Sequence, residues 1–407
     1  GDIACDHYHR FEEDVALMAQ LGIRAYRFSV AWPRIQPDGR GTPNRKGLDH
    51  YRRLVAALRD HDISPVVTLY HWDLPQALED LGGWTSRDTA ERFADYSAIV
   101  GAALRDDVAL WITLCEPWVC AWLGYGEGIH APGRTDAREA LAASHTLLLA
   151  HGLAVDALHQ ATKGPVGITL NFTPTLPASD SPDDVAAAEI AGQHMNRMFL
   201  DPVFGHGYPT DLLARYREVS DFGFVRDGDM EMIARPMEFL GVNYYTRQTI
   251  AAHSRGELRA SAVPGNLRAW SFVPPGVEAT AMGWAIDPDG LTDLLLWLHR
   301  DYPHIPLYIT ENGAAFDDYV DPEGGVDDVE RIDYLQAHLL AAQRASEAGA
   351  SLAGYFLWSF LDNFEWAQGY SKRFGLVHVD YPTQRRTPKR SARWYGGVAA
   401  AGGLDAG

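Results

Sequence analysis

The chain has 407 residues, of which 46% are hydrophobic and 22% charged, so it can bury a large core and disorder is not expected. Its formal net charge of −19 argues against nucleic acid or an anionic membrane as a partner, and favours a neutral or cationic ligand. Three cysteines without regular spacing, Cys5, Cys115 and Cys120, do not suggest a disulfide framework and favour a reducing compartment. Because the polar first residues resemble no targeting signal and no apolar run reaches membrane length, we expect a cytoplasmic protein.

Short apolar runs alternate with longer amphipathic stretches from one end of the chain to the other. This alternation is typical of parallel strands buried on both faces and covered by helices. No linker or low-complexity tract interrupts it, so residues 1–407 are predicted to form a single α/β domain, either a barrel or a doubly wound sheet. The predicted strands are 25–30, 65–70, 110–114, 166–171, 239–244, 307–310 and 354–359. The predicted helices are 11–21, 47–61, 87–104, 138–162, 288–301 and 327–348.

A (β/α)₈ barrel requires eight strands, and seven are recognisable. The simplest interpretation is that the first strand lies upstream and is absent from the sequence, because the chain opens on a helical pattern. An unrecognised strand within 173–236 is the alternative. That stretch and 246–282 are expected to be elaborations on one face of the barrel. A barrel that lacks a strand would expose the edges of the two strands beside the gap.

Polar residues follow several of the predicted strands, at the end of a barrel where active sites are built. The second strand is followed by His71 and Trp72, and the last by a segment that contains Glu365. Two other strands end in glutamates, Glu116 and Glu311. A carboxylate placed after an apolar strand costs desolvation energy unless the protein pairs or uses it.

Two carboxylates at a barrel mouth suit glycoside hydrolysis, in which one protonates the leaving oxygen and the other attacks the anomeric carbon or activates water. A purely structural interpretation is that each glutamate is paired with Arg24 or Arg27. That interpretation would serve for one buried glutamate, but two of them, with His and Trp at neighbouring strand ends, favour catalysis.

The chain closely resembles glycoside hydrolase family 1, the β-glucosidase family, over nearly its whole length. The resemblance implies a TIM barrel and a retaining β-glucosidase that acts by double displacement through a covalent glycosyl-enzyme, without a cofactor or a metal. The segments that carry it are YRFSVAWPRI, TLYHWDLP, TLCEPW, GYGEGIHAPG, FLGVNYY, YITENGAA, FLWSFLDNFEWAQGYSKRFG and KRSARWY.

The resemblance also implies a role for each matching residue. Glu311 corresponds to the nucleophile and Glu116 to the acid/base. Arg27 and Tyr245 correspond to groups that orient the nucleophile, and Asn243 belongs to the same motif as Tyr245. Since an adjacent cation stabilises an ionised carboxylate, we expect Arg27 beside Glu311 rather than beside Glu116. The residues expected to contact the sugar are His71, Trp72, Cys115, Trp358, Glu365 and Trp366, with Trp358 as the platform under the ring and Glu365 as the acceptor from O4 and O6.

The sequence departs from the family at two places. Cys115 stands where the family has an asparagine that donates to the 2-hydroxyl of the sugar, and a thiol is a weaker donor. We therefore expect slower hydrolysis than in relatives. The second departure is that the amino-terminal portion is missing from this sequence. In the family that portion carries the first strand and a Gln that contacts O3 and O4 of the sugar.

β-Glucosides and cello-oligosaccharides are the expected substrates, which places the enzyme in carbohydrate metabolism and cellulose degradation. β-Galactosides and β-fucosides are expected side substrates, because Glu365 can accept from either O4 epimer. A carboxylate there would repel a phosphorylated sugar. The alternative is a catalytically impaired sugar-binding descendant of the family, as Cys115 and the missing strand would suggest. A barrel aldolase or isomerase is disfavoured, since no Schiff-base lysine, metal cluster or phosphate loop follows a strand. The sequence leaves the oligomeric state open.

Overall fold

The computed structural model describes residues 3–253, 267–302 and 305–404. All seven predicted strands and all six predicted helices are present, with ends that differ by a few residues. The strands are β1 Ala25–Ser29, β2 Ser64–Tyr70, β3 Leu110–Cys115, β4 Val166–Phe172, β5 Thr175–Pro177, β6 Phe239–Tyr244, β7 Gln248–Ala251, β8 Trp270–Phe272, β9 Leu307–Asn312, β10 Leu352–Leu357, β11 Val377–Asp380 and β12 Arg385–Pro388. The α-helices are α1 His7–Gln20, α2 Trp32–Ile35, α3 Arg45–Asp60, α4 Gln76–Glu79, α5 Arg87–Leu104, α6 Ala137–Ala161, α7 Pro182–Gly192, α8 Met198–Val203, α9 Thr210–Tyr216, α10 Asp229–Ile233, α11 Pro288–Asp301, α12 Val329–Glu347 and α13 Arg390–Ala401.

Seven strands form one parallel sheet in the order β1-β2-β3-β4-β6-β9-β10. The sheet curves into a nearly closed TIM barrel, so the barrel rather than the doubly wound sheet is correct. Its central strands are buried on both faces, and every residue of β6 is buried. This explains why the strands are continuous apolar runs instead of alternating ones.

The barrel is open between β1 and β10, which are the edge strands of the seven-stranded sheet. A cavity of about 420 Å³ lies there, and its lining includes Arg27, His71 and Trp358. The alternative of an eighth barrel strand within 173–236 is wrong for the described residues. The only strand in that stretch, β5, pairs with β7 in a separate three-stranded sheet with β8.

The two long elaborations differ in structure. The stretch 173–236 carries α7 to α10, and 246–282 carries β7 and β8 as well as residues 254–266, which lie outside the described residues. Among the described residues one helix, α6, is long and apolar enough to cross a membrane by length and composition. Of its apolar window 78% is buried inside the protein, so α6 packs as a core helix.

Candidate active site

The two strand-end glutamates lie at the carboxyl end of the barrel, on different strands. Glu116 directly follows β3, and its φ of +51° turns the chain sharply there. Glu311 is the penultimate residue of β9. Both side chains are buried, so their protonation states depend on the groups that contact them.

Three side chains donate to the Glu311 carboxylate, two of them at short distance and the third, the thiol of Cys115, at 3.6 Å. The guanidinium of Arg27 lies 2.5 Å from its Oε1, and the hydroxyl of Tyr245 donates to its Oε2 at 2.7 Å. Burial alone would raise the pKa of Glu311, but the positive charge of Arg27 and the hydrogen bonds from Arg27 and Tyr245 outweigh it and hold the pKa below its ordinary value. The expected position of Arg27 beside Glu311 is confirmed, and Glu311 is an ionised carboxylate at neutral pH.

Glu116 has a different environment. Its Oε1 accepts a hydrogen bond of 2.7 Å from the amide of Asn243, and no ion pair reaches it among the described residues. Burial, and next the negative charge of Glu311, raise the pKa of Glu116 to about 8. The structural interpretation, in which an arginine pairs with each glutamate, therefore fails for Glu116. One carboxylate is ionised and the other protonated near neutrality, as an acid and a nucleophile require.

Cys115 lies between the groups that contact Glu311 and the amide that contacts Glu116. Its Sγ accepts from Arg27 at 3.0 Å and lies 3.6 Å from Oε1 of Glu311 and 3.6 Å from the amide nitrogen of Asn243. Burial raises the pKa of the Cys115 thiol well above its usual range. The side chain is therefore a neutral thiol at the centre of the polar cluster.

Aromatic side chains beside this polar cluster form an aromatic wall. The rings of Trp72, Trp358 and Trp366 lie 5.0, 5.7 and 5.7 Å from that of His71, and Trp72 lies 4.5 Å from Trp366. The Trp72 indole donates to the carbonyl of Cys115 at 2.9 Å, which connects this wall to the polar cluster. Burial lowers the pKa of His71 to about 4, so its imidazole is neutral and has both a donor and an acceptor nitrogen.

Glu365 follows the last barrel strand, β10, and interacts with the Trp358 side chain. Burial, and next the charge of Glu311, raise the pKa of Glu365 to about 7. Contacts thus connect all the residues predicted for the site into one group, which consists of a polar cluster and an aromatic wall. The functional role of each one stays a prediction.

Three threonines inside the barrel were not predicted to contribute. Thr68 of β2 accepts from Nε of Arg27 at 3.1 Å. Thr310 of β9 donates to Oδ1 of Asn243 at 2.7 Å and accepts from Thr169 of β4 at 3.2 Å. These contacts orient the arginine and the amide that bind the two glutamates. The sequence offered one signal for these residues, a threonine within each of three apolar runs. Threonine is common in strands in general, so this signal does not distinguish a functional threonine from an ordinary one.

One group of side chains has the composition of a metal site. The nearest ligand atoms of His71, Cys115 and Glu311 all lie within 4.8 Å of one another. It is the one such group of three or more His, Cys, Asp or Glu residues in the part of the chain that the structure describes.

The chain is similar to several known proteins. The sequence model of the family described as glycosyl hydrolase family 1 matches residues 1–404. The "Thermostable beta-glucosidase B" of Thermobispora bispora is 50% identical over 405 residues, which cover 99% of this chain and 82% of that protein. A "Bifunctional beta-D-glucosidase/beta-D-fucosidase" of Bifidobacterium breve is 44% identical over 409 residues, which cover 97% of this chain and 87% of that protein. A β-glucosidase of Thermotoga maritima, solved in complex with deoxynojirimycin, has a TM-score of 0.94 at 44% identity. The match covers 100% of this chain and 89% of that protein.

Proposed function

The chain belongs to glycosyl hydrolase family 1 and is a retaining β-glucosidase, and from this premise we propose that Glu311 and Glu116 carry out the two steps of its reaction. The observation that carries the proposal is the asymmetry of the pair. Arg27 and Tyr245 hold Glu311 ionised, whereas the one side-chain hydrogen bond to Glu116 among the described residues comes from the neutral amide of Asn243, and Glu116 stays protonated. Nothing in the comparisons supports the alternative of a catalytically impaired sugar-binding protein.

In the first step an oxygen of Glu311 forms a bond to the anomeric carbon as the bond to the leaving oxygen breaks, and that oxygen takes the proton of Glu116. In the second step a water oxygen attacks the same carbon and the ester bond to Glu311 breaks. Glu116 takes the proton of that water and returns to its starting state. Two inversions leave the sugar with its original β configuration.

The electrostatics of the pair support this exchange of roles by Glu116. The charge of Glu311 is the second cause of the raised pKa of Glu116, after burial. Once Glu311 becomes an ester it carries no charge, so the pKa of Glu116 falls. The same carboxyl group is thereby an acid in the first step and a base in the second.

We assign the glycone subsite to the aromatic wall. Trp358 offers the apolar face on which a sugar ring can stack, with His71, Trp72, Trp366 and Glu365 around its edge. The Glu365 carboxylate can accept hydrogen bonds from hydroxyls at O4 and O6. This subsite suits terminal β-glucosyl residues of small β-glucosides and cello-oligosaccharides. β-Fucosides are side substrates, as the bifunctional relative supports, and β-galactosides are included because Glu365 accepts from either O4 epimer.

A cytoplasmic location is also part of the proposal. Its support is that Cys5, Cys115 and Cys120 are all free thiols in the structure, as a reducing compartment would keep them.

Azide rescue of alanine variants tests the two roles separately. Glu116→Ala should lose roughly 10²- to 10⁴-fold in kcat/KM on an alkyl β-glucoside and much less on a dinitrophenyl β-glucoside, whose leaving group needs no proton. Azide should then accelerate turnover and yield β-glucosyl azide, because it attacks the glycosyl-enzyme. Glu311→Ala should yield α-glucosyl azide by a single displacement. Glu91→Gln, at an exposed glutamate on α5, is the control and should match the wild type.

The opposite assignment of anomers to the two variants would reverse the proposed roles. A wild-type protein that binds glucose without hydrolysing any aryl β-glucoside would instead support the impaired alternative.

A further inference from the structure

The thiol of Cys115 gives the glycone pocket a ligand set that differs from that of a plain sugar site. Its Sγ lies 3.6 Å from Oε1 of Glu311, and the nearest ligand atoms of His71, Cys115 and Glu311 are all within 4.8 Å of one another. We propose that these three side chains form an inhibitory binding site for a borderline-soft metal cation such as Zn²⁺ or Cd²⁺, which competes with the sugar.

The ligand types select the class of cation. Imidazole nitrogen, thiolate sulfur and carboxylate oxygen are the three protein ligands of Zn²⁺, and thiolate disfavours hard cations such as Mg²⁺ and Ca²⁺. Tetrahedral coordination with Zn–N and Zn–O bonds of about 2.0 Å and a Zn–S bond of about 2.3 Å places ligand atoms roughly 3.5 Å apart. Sγ of Cys115 and Oε1 of Glu311 are already 3.6 Å apart, so only the His71 nitrogen has to move closer, by roughly 1 Å at most. Three protein ligands leave the fourth tetrahedral position for water.

The surroundings permit this closure. The His71 ring packs among Trp72, Trp358 and Trp366, and in the described residues no side-chain hydrogen bond holds its nitrogens. On binding, the Cys115 thiol releases its proton to solvent as the metal–sulfur bond forms. The Arg27 guanidinium contacts both Sγ and Oε1, so it opposes the cation but stabilises the thiolate. The metal must displace one of these contacts, so binding should be reversible.

The consequence is inhibition by direct competition. A metal held by Glu311 occupies the oxygen that attacks the anomeric carbon, and its ligand His71 lies in the proposed glycone subsite. Inhibition by the metal rests on the proposed function, whereas metal binding itself does not. The test therefore measures both.

Binding is measured first, with Cd²⁺ added to the full chain in a non-chelating buffer and the ultraviolet absorption of the cadmium–thiolate bond as the readout. The absorption should correspond to one cadmium–thiolate bond per chain. It should be absent in Cys115→Asn, and excess glucose should suppress it in the wild type. Cys120→Ser is the matched control, because Cys120 is a buried thiol beside Tyr70 that lies outside the ligand group, and it should keep the full absorption. His71→Asn should weaken Cd²⁺ affinity by at least about 10-fold.

Inhibition of aryl β-glucoside hydrolysis by Zn²⁺ is measured second. Half-inhibition of the wild type should require at least about 10-fold less Zn²⁺ than that of Cys115→Asn, and a chelator should restore activity. Cys115→Ser serves in its place if the amide variant does not fold. Equal sensitivity of wild type and variant, or an absorption that survives in Cys115→Asn and disappears in Cys120→Ser, overturns the proposal. If the cadmium–thiolate absorption appears but the protein hydrolyses no aryl β-glucoside, the metal site is correct and the proposed function is wrong.

Discussion

Cys115 is the residue whose replacement most directly tests the polar cluster. Its Sγ accepts from Arg27 at 3.0 Å and lies close to Glu311 and Asn243, so an amide in its place could accept from Arg27 and also donate to a sugar hydroxyl. We expect Cys115→Asn to raise kcat/KM for β-glucosides. By analogy with an oxyanion-hole donor, the missing contact is worth about 2–4 kcal/mol, or roughly 10²- to 10³-fold in rate.

The measurement is steady-state kinetics with an aryl β-glucoside and its 2-deoxy analogue. The gain should be confined to the substrate that carries the 2-hydroxyl. An unchanged kcat/KM for the glucoside would show that the thiol does not limit this enzyme.

Tyr245 supports the ionised state of Glu311, and its removal should change the pH profile. Activity requires Glu311 deprotonated and Glu116 protonated, so kcat/KM should be bell-shaped, with its alkaline limb near the pKa of about 8 of Glu116. Tyr245→Phe removes a donor at 2.7 Å, which raises the pKa of Glu311. The acid limb must then move to higher pH, because Glu311 is protonated earlier as the pH falls.

The loss of a hydrogen bond to a charged group costs about 1.5–3 kcal/mol, so kcat/KM at the optimum should also fall by roughly 10- to 100-fold. Tyr244→Phe is the matched control. The Tyr244 hydroxyl donates to the carbonyl of Asp287 instead of a catalytic group, so its variant should leave the acid limb in place. An acid limb that does not move in Tyr245→Phe would contradict the role of this hydroxyl.

At the scale of elements, the junction of β9 and β10 joins the nucleophile to the sugar platform. Gly313 follows β9, and a Cβ atom there would lie 1.9 Å from the carbonyl oxygen of Trp358. Gly313→Ala should therefore force the two strand ends apart. We expect a loss of about 1–3 kcal/mol in stability together with at least a tenfold fall in kcat/KM, since Glu311 and Trp358 move relative to each other.

Thermal unfolding and kinetics measured on the same preparation test this. Gly397→Ala is the control, because no atom lies within 4 Å of a Cβ placed there and the position is inside α13. It should keep full activity and unfold at the same or a slightly higher temperature. A fully active Gly313→Ala variant would show that the junction tolerates displacement.

The seven barrel strands and six of the α-helices were predictable, because each of these strands is an apolar run and each of these helices an amphipathic stretch. The other helices and the strands outside the barrel were not predicted. Arg27 could be placed beside Glu311 because the family resemblance assigns Glu311 as the nucleophile, and a nucleophilic carboxylate that must stay ionised is stabilised by a cation. The threonine layer of Thr68, Thr169 and Thr310 could not be predicted, since threonine within a strand is ordinary and only the barrel shows which way each side chain points. Nor could the pairing of β5 with β7, which depends on how two distant elaborations meet.

At the scale of the whole molecule, a buried ionic cluster connects the carboxyl-terminal segment to the barrel. Lys389 contacts Asp318 at 2.6 Å and Asp362 at 2.9 Å. Asp318 also pairs with Arg331 of α12, and Asp362 with Arg373. Sequence could not predict these contacts, because Lys389 and Asp318 are 71 residues apart. The cluster joins the segments after β9 and β10, α12 and the start of α13.

Removing the lysine should therefore affect both stability and substrate binding. Lys389 is fully buried, and breaking a buried ion pair from one side leaves an uncompensated charge, which costs about 3–5 kcal/mol. We expect Lys389→Met to lower the free energy of unfolding by about that amount. KM should rise as well, because Asp362 lies three residues before Glu365 and fixes the loop that carries it, through Arg373 and the backbone of Gly375.

Urea unfolding and steady-state kinetics measure the two effects. Arg390→Met is the neighbouring control, since the Arg390–Asp327 pair is mostly exposed and such pairs add little to stability. That variant should match the wild type in both measurements. If Lys389→Met lost stability without any change in KM, the cluster would hold α13 alone. If both change together, then the ionic cluster around Lys389 sets the position of Glu365 and Trp366. The fit of the sugar would then depend on the carboxyl-terminal segment as well as on the two catalytic strands.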